Sequence, residues 1–229
     1  MRALRRRQHR RTPAAADAPD AATRTEPGPM AVLANEPYRL LFISAAIVIF
    51  GVMGQAVARG WLARELTGTN AGLGGVMMAF GAAMLIATPI GGVTADRYDK
   101  RTVMVIAVAS LMVSASLLGI AVIAGVAAYW MLLAVSAVQA AAFAFYLPAR
   151  IAYISEVVGG DLLKNAIVLA QMSSETMRVL SPALAGVLVG VSWFGVGGVF
   201  VASGVTAGIA GVMLFGLPRA KPRGRSTTT

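Results

Sequence analysis

The sequence predicts an all-α, polytopic membrane protein whose fold is a bundle of six transmembrane helices. The composition supports this fold, because 57% of the residues are hydrophobic and only 13% are charged, whereas an average soluble chain carries about 25% charged residues. The charges are confined to the two ends and to a few short clusters. Between the clusters lie apolar runs longer than the ~20 residues that a helix needs to cross a bilayer. These runs are too continuous for the alternating pattern of a membrane β-barrel.

The six spans are predicted in order along one transmembrane domain that covers residues 37–217. Their predicted bounds are 38–66, 71–95, 102–123, 128–147, 165–191 and 194–217. The connections at 96–101 and 148–164 are charged, while the other three carry no charge. Small residues within the spans, such as Gly204 and Gly208, suit the close backbone approach by which helices pack in lipid.

Two basic tails flank this domain, and both are predicted to lie in the cytoplasm. Residues 1–36 contain too few large apolar residues to pack, so we expect them to be disordered. No apolar segment closely follows their arginines, which argues against a secretory signal peptide or a twin-arginine export signal. An alternative is that translation begins at Met30. Residues 218–229 form the second basic tail.

The distribution of Lys and Arg predicts how the spans are oriented. One face receives both tails and the charged loops, whose basic residues are Arg97, Lys100, Arg101, Arg150 and Lys164. Toward the other face, only Arg59 and Arg64 lie near the end of a span. By the positive-inside rule, both termini lie in the cytoplasm of a multi-pass plasma-membrane protein. Orientation within the lipid bilayer therefore explains the isoelectric point near 11.0, and we expect no nucleic-acid partner.

The sequence contains no recognisable catalytic constellation. It has no Cys, and its single His lies in the N-terminal tail, where a solvated side chain is expected. It lacks His-x-x-x-His, Gly-x-Ser-x-Gly and phosphate-loop motifs, and no aspartates are paired inside the spans. We therefore expect no enzyme, such as an intramembrane protease or an ATPase, and no metal or cofactor.

The second and third spans are joined by a loop with five charges in six residues, from Asp96 to Arg101. We refer to the segment Gly92-x-x-x-Asp96-Arg97-x-x-Lys100-Arg101 as the 92–101 loop. A glycine beside such a tight turn adds flexibility, and Asp96 could pair with its basic neighbours or face the positive N-terminus of another helix. The alternative is a plain cytoplasmic loop whose charges serve only to orient the protein.

The fifth span carries Gln171, Glu175, Arg178 and Pro182 at i, i+4, i+7 and i+11, so all four share one helical face. At 1.5 Å per residue, Glu175 and Arg178 lie roughly 15–20 Å into the span. A lone charge there costs from ~2.5 to over 10 kcal/mol, which an i, i+3 pair can partly offset. Two interpretations stay open: an ion pair that holds the bundle together, or the polar wall of a central cavity with Glu175 as a proton carrier.

The 92–101 loop resembles the loop between helices 2 and 3 of the major facilitator superfamily, usually written G-x-x-x-D-R/K-x-G-R/K-R/K. Asp99 stands where that family has Gly. Residues 178–186 resemble the R-x-x-G-P-x-x-x-G antiporter motif of helix 5, with Ser181 for the first Gly, followed by Pro182 and Gly186. Residues 60–68, 148–150 and 165–166 are similar to the enterobactin-exporter-like, or transmembrane secretion effector, branch. The resemblance covers about residues 35–217.

The resemblance implies a transporter that cycles between inward-open and outward-open states, with protons driving the export of a drug, siderophore or metabolite. It implies that Asp96, Arg97 and Arg101 form a cytoplasmic latch. Helices 1 and 4 of the family usually line the cavity, which makes Gln55, Arg59 and Gln139 candidate substrate contacts. The alternative for Arg59 is that its side chain snorkels to the membrane interface.

Six spans amount to one half of a transporter of this superfamily, which has about twelve spans in two halves. We therefore expect the N-terminal half, in a half-length or truncated transporter. Its partner would be a second six-helix chain or a second copy of this one. The alternative is a non-transporting binding or assembly subunit, or the remnant of a split transporter gene.

Overall fold

The computed structural model describes residues 29–191 and 194–218, which form one 3-10 helix and six long α-helices with no strand among them. The 3-10 helix covers Pro29–Ala34. The α-helices are α1 Glu36–Thr67, α2 Ala71–Arg97, α3 Lys100–Ile123, α4 Tyr129–Val157, α5 Gly160–Gly190 and α6 Gly195–Phe215. The all-α class and the six-helix bundle predicted from the sequence are confirmed.

Five of the six long helices are long and apolar enough to cross a membrane, and the exception is α5. Its 31 residues would extend about 46 Å, so length does not disqualify it. The polar and charged side chains from Lys164 to Arg178 lower its hydropathy instead. The fifth predicted span therefore stays a prediction, made for a helix that packs along α1 like the other members of the bundle.

The fourth predicted span ends too early. The sequence predicted an end at residue 147 and a charged loop from 148 to 164, but α4 continues through Pro148 to Val157, and α5 already begins at Gly160. A proline removes only one helical hydrogen bond, and surrounding helices make it tolerable in a membrane bundle. Arg150 consequently lies inside a helix and is buried, and its assignment to a cytoplasmic loop was wrong.

The boundary of the N-terminal tail also shifts. Residues 1–28 lie outside the described residues, but the 3-10 helix occupies the last part of the predicted disordered segment, and Val32 within it is buried in the core. Asn35 then caps α1, since its Oδ1 accepts a hydrogen bond from the Tyr38 amide at 3.2 Å. Its Nδ2 donates to the carbonyl oxygen of Val157 at 3.1 Å, which ties the start of α1 to the end of α4.

Three packing arrangements position the polar residues. The helix α2 packs along α4, α3 packs along α6, and α1 packs along both α5 and α6, whereas the sequence neighbours α2 and α3 barely touch. Glycines permit the closest crossings: a Cβ at Gly91 of α2 would overlap the carbonyl oxygen of Ala144 on α4. The bundle is therefore held by small residues at helix crossings and by two apolar clusters, one containing Tyr146 and the other Phe200.

Candidate functional site

A buried polar cluster joins α1, α2 and α4. Arg59 Nη2 donates hydrogen bonds to Gln139 Oε1 and, at 3.3 Å, to Gln55 Oε1. Gln139 Nε2 donates to the same Gln55 oxygen at 3.1 Å. The Arg59 guanidinium carbon also lies 5.9 Å from the centroid of the Phe80 ring on α2, within range of a cation–π interaction. We call Gln55, Arg59, Gln139 and Phe80 the Arg59 cluster.

The Arg59 side chain does not snorkel to the surface of this bundle. Arg59 is 7% exposed, Gln55 1% and Gln139 0%. The structure thus brings together the three residues that the resemblance made candidate substrate contacts. The Nε atom of Arg59 is buried and has no hydrogen-bond partner among the described residues, and no described carboxylate forms an ion pair with this guanidinium.

The polar face of α5 is continuous, as its spacing predicted. Gln171 Nε2 donates to Glu175 Oε1 at 2.7 Å, and Arg178 Nε lies 3.4 Å from Glu175 Oε2. However, the side chains of Arg178 and Glu175 are 61% and 54% exposed. Both partners belong to α5 and more than half of each side chain is exposed, so within the described residues this ion pair does not join two helices.

A second face of α5, about a quarter-turn from the polar row, explains why the polar residues point outward. It carries small residues that are buried against the bundle: Ala166, Ala170, Ser174, Ser181 and Ala185. Small side chains let helices approach closely in lipid. The face that carries them therefore packs against the bundle, and the long polar side chains face outward. The hydroxyl of Ser181 donates to the Phe50 carbonyl oxygen on α1. The residues of the predicted helix 5 motif thus lie in different environments: Ser181 is packed inward, Pro182 is half-buried and Gly186 is exposed.

The turn of the 92–101 loop consists of Tyr98 and Asp99, since α2 ends at Arg97 and α3 begins at Lys100. Asp99 is the N-cap of α3: its Oδ2 accepts hydrogen bonds from the amide of Thr102 at 3.0 Å and from its hydroxyl at 2.7 Å. Aspartate is one of the residues that cap helix N-termini well. The capping role of Asp99 therefore gives a physical reason for aspartate at the position where the motif of the family has glycine.

The basic residues at the start of α3 are tied to other helices. The Nζ of Lys100 lies 2.8 Å from Glu156 Oε1 on α4, and both side chains are nearly buried. Arg101 Nη2 donates to the carbonyl oxygen of Phe215 at the end of α6, and its guanidinium carbon lies 6.0 Å from the ring centroid of Phe215. A cation at the C-terminal carbonyls of a helix is favourably placed.

The remaining loop residues face outward. Asp96 and Arg97 are exposed and form no hydrogen bond or ion pair with any other described residue. The expected pairing of Asp96 with its basic neighbours is therefore not found within the described part of the chain. A Cβ at Gly92 would meet only open space. Of the three residues of the predicted latch, Arg101 thus anchors α3 to α6, whereas Asp96 and Arg97 present a carboxylate and a guanidinium without partners among the described residues.

Two charged residues were missed as functional candidates. Arg150 is buried between α4 and α5, where Nη1 and Nη2 lie 3.4 Å from Ser174 Oγ and from the Ala170 carbonyl oxygen. Glu156 is the partner of Lys100. The helical spacing of apolar residues that continues past Pro148, through Ala149 and Tyr153, could have placed both residues on α4. The described residues contain no group of three or more His, Cys, Asp or Glu that could hold a metal.

Comparisons with known proteins cover this whole region. The family model of the Major Facilitator Superfamily matches residues 41–229, which include every site residue named above. A curated relative from Bacillus subtilis (strain 168), Uncharacterized MFS-type transporter YfiS, is 26% identical to this chain over 144 residues. The alignment covers 63% of this chain but 33% of the relative, so the chain spans about a third of the length of the curated protein it matches.

Proposed function

Since the chain belongs to the Major Facilitator Superfamily, we propose that it forms the N-terminal six-helix half of a proton-coupled exporter of small molecules. Membership of this family makes the chain part of a multi-pass membrane protein concerned with transport. We propose in addition that transport is directed outward and coupled to protons, and that the transporter is half-length. We also propose that it lies in the plasma membrane with both termini in the cytoplasm. It would belong to the enterobactin-exporter-like branch, and its substrate would be a drug, a siderophore or a metabolite.

The observation that carries this proposal is the exposed polar row of Gln171, Glu175 and Arg178 on α5. Charged groups are unfavourable against lipid and in membrane helices almost always face a bundle interior or a water-filled cavity. An exposed row on this half-bundle therefore favours a cavity wall shared with a second six-helix unit. In that position Glu175 would exchange protons with the cavity, while Arg178 and Gln171 hold its carboxylate in place.

The 92–101 loop supports the same proposal from the other end of the bundle. Lys100 and Arg101 attach the start of α3 to α4 and α6. Asp96 and Arg97 end α2 just before the turn, exposed and without partners among the described residues. An exposed carboxylate at this end of the bundle is well suited to engage and release a helix end of a second half, which is what a cytoplasmic latch requires.

Transport in reconstituted vesicles tests the proposal. The full chain is inserted into proteoliposomes, alone and together with the product of any neighbouring reading frame that encodes six further spans. A pH gradient is imposed, and the movement of a fluorescent drug such as ethidium is followed beside that of protons. We expect coupled movement with the complete pair. No proton-linked movement in any combination, across drugs and siderophores, would favour the alternative of a binding or assembly subunit.

The role of Glu175 is tested in the same vesicles. Glu175→Gln is expected to abolish the pH dependence of transport, because the amide cannot release a proton. The matched control is Glu65→Gln, which removes an exposed carboxylate near the end of α1 and should leave the pH dependence unchanged. Transport by Glu175→Gln with an unaltered pH dependence would make Glu175 a structural residue.

A further inference from the structure

We propose that the Arg59 cluster binds an anionic oxygen group of the transported molecule, so that the substrate is a small organic anion such as a carboxylate or an organic phosphate. This inference rests on the proposed transport function. It names the substrate class of a site between α1 and α4, where Gln55, Arg59 and Gln139 meet. It is carried by the burial and the hydrogen bonding of Arg59, independently of the polar row on α5.

The first observation is an uncompensated buried charge. Arg59 is 7% exposed, and a guanidinium so removed from water needs a counter-charge to offset its desolvation. The acidic side chains that the structure describes are Glu36, Glu65, Asp96, Asp99, Glu156 and Glu175. None of them forms an ion pair with Arg59. A bound anion would supply the counter-charge that the described residues do not provide.

The second observation is the kind of partner that Arg59 has. Its acceptors are Gln55 Oε1 and Gln139 Oε1, which are neutral amide oxygens on rotatable side chains. An oxyanion accepts hydrogen bonds from a guanidinium about twice as strongly as a neutral oxygen does, so it would displace a glutamine oxygen. The released amide then has NH2 donors to offer to the same anion. The unpartnered Nε of Arg59 provides a further donor.

Arg150 shows what a structural arginine looks like in this bundle. Arg150 is also buried without a carboxylate partner among the described residues, but its donors point to Ser174 Oγ and to the backbone carbonyl oxygen of Ala170. Both acceptors lie on α5, and a backbone oxygen cannot rotate away. Arg150 thus ties α4 to α5, whereas Arg59 is held only by side chains that can exchange for a ligand. This difference assigns the anion site to Arg59.

Thermal unfolding of the full chain in detergent micelles tests the inference with matched probes. Benzoate and phenylphosphate are the anions, benzamide is the neutral analogue, and benzamidine is the cation of the same size. We expect at least one anion to raise the unfolding midpoint by about 3 °C or more, because a ligand that binds only the folded state stabilises it. Benzamide and benzamidine should leave the midpoint unchanged. The two anions separate carboxylate from phosphate preference.

Variants locate the effect. Arg59→Gln should lose the response to the anion, and Arg59→Lys, which keeps the charge and guards against misfolding of the first variant, should retain a weaker response. Arg64→Gln is the matched control, since Arg64 lies on the same helix but is exposed, and it should respond like the parent chain. The inference is overturned if no anion shifts the midpoint, if benzamide or benzamidine shifts it equally, or if Arg59→Gln keeps the response.

The inference and the proposed function can fail separately. An anion-specific response that depends on Arg59, in a protein that moves nothing across vesicles, would support the anion site and remove the transport proposal. Proton-linked export of a cation or a neutral compound that Arg59→Gln leaves unaltered would support transport and overturn the anion site.

Discussion

Lys100 at the start of α3 and Glu156 near the end of α4 form a nearly buried ion pair, with 2.8 Å between Nζ and Oε1 and side chains 10% and 15% exposed. The second carboxylate oxygen of Glu156, Oε2, is buried without a hydrogen-bond partner among the described residues, and so is Oδ1 of the neighbouring Asp99. Lys100 is therefore the ion-pair partner that compensates the charge of Glu156 within the described residues.

Removing one partner of this pair should destabilise the protein strongly. Lys100→Met leaves Glu156 buried without a counter-charge, and we expect a loss of about 3–5 kcal/mol in the free energy of unfolding. The double variant Lys100→Met/Glu156→Met should recover most of that loss, because an apolar pair needs no compensation. Denaturant unfolding in detergent measures the free energy of unfolding of both variants.

The control is Arg39→Gln, which breaks an exposed ion pair with Glu36 and should cost at most about 1 kcal/mol. Equal losses in Lys100→Met and the control would show that the buried pair contributes nothing special.

Adjacent glycines in α2 should respond oppositely to alanine. Gly91→Ala places a methyl group against the carbonyl oxygen of Ala144, which is backbone and cannot move aside. We expect a loss of about 1–3 kcal/mol. Gly92→Ala meets open space and should stabilise the helix by about 0.5–1 kcal/mol. Unfolding midpoints of the two variants, compared with the parent chain, check this difference. A Gly91→Ala protein as stable as Gly92→Ala would contradict the close crossing of α2 and α4.

The capping role of Asp99 predicts a graded response. Asp99→Ala removes both hydrogen bonds to Thr102 and should cost about 0.5–2 kcal/mol. Asp99→Gly, which restores the glycine of the family motif, should cost only a few tenths of a kcal/mol, since glycine is itself tolerated as an N-cap. The free energies of unfolding of the two variants test the order. If Asp99→Gly proves the less stable of the two, capping is not the reason for aspartate at this position.

Asp96 should matter for transport and not for stability. Its side chain is exposed and contacts no described residue through a hydrogen bond or an ion pair, so Asp96→Asn should change the free energy of unfolding by less than about 0.5 kcal/mol. If the loop is a latch, the same variant should slow the proton-linked transport of the reconstituted protein. Initial rates in vesicles measure this effect. A stable Asp96→Asn protein with the parent transport rate would remove the latch function from Asp96.

The helices were predictable because each depends on its own segment of chain. An apolar run of membrane length, interrupted by a charged turn, forms a helix whatever its neighbours are. The bounds of α1 and α6 agree with the predicted spans to within a few residues. The prediction failed at Pro148, where the predicted span stopped before a charged segment, while packing that buries Ala149, Arg150 and Tyr153 continues the helix.

The candidate site was less predictable, because a periodic pattern identifies a helical face but not the direction in which that face turns. The sequence put Gln171, Glu175 and Arg178 on one face, and the structure turns that face outward. It suggested that Arg59 could snorkel, and the structure buries that side chain between Gln55 and Gln139, although Gln139 lies far along the chain on α4.

The sequence by itself determined the class of protein, the six helices, the charged turn after α2 and the family, since these follow from local hydropathy, local charge and short motifs. Only the tertiary structure decided which charges are paired. Lys100 meets Glu156, Arg101 meets the end of α6, and Asp96 meets no described partner. The physical reason is that pairing between helices depends on helix rotation and crossing. Close contacts at residues such as Gly91 set both, and they become visible only when the bundle is assembled.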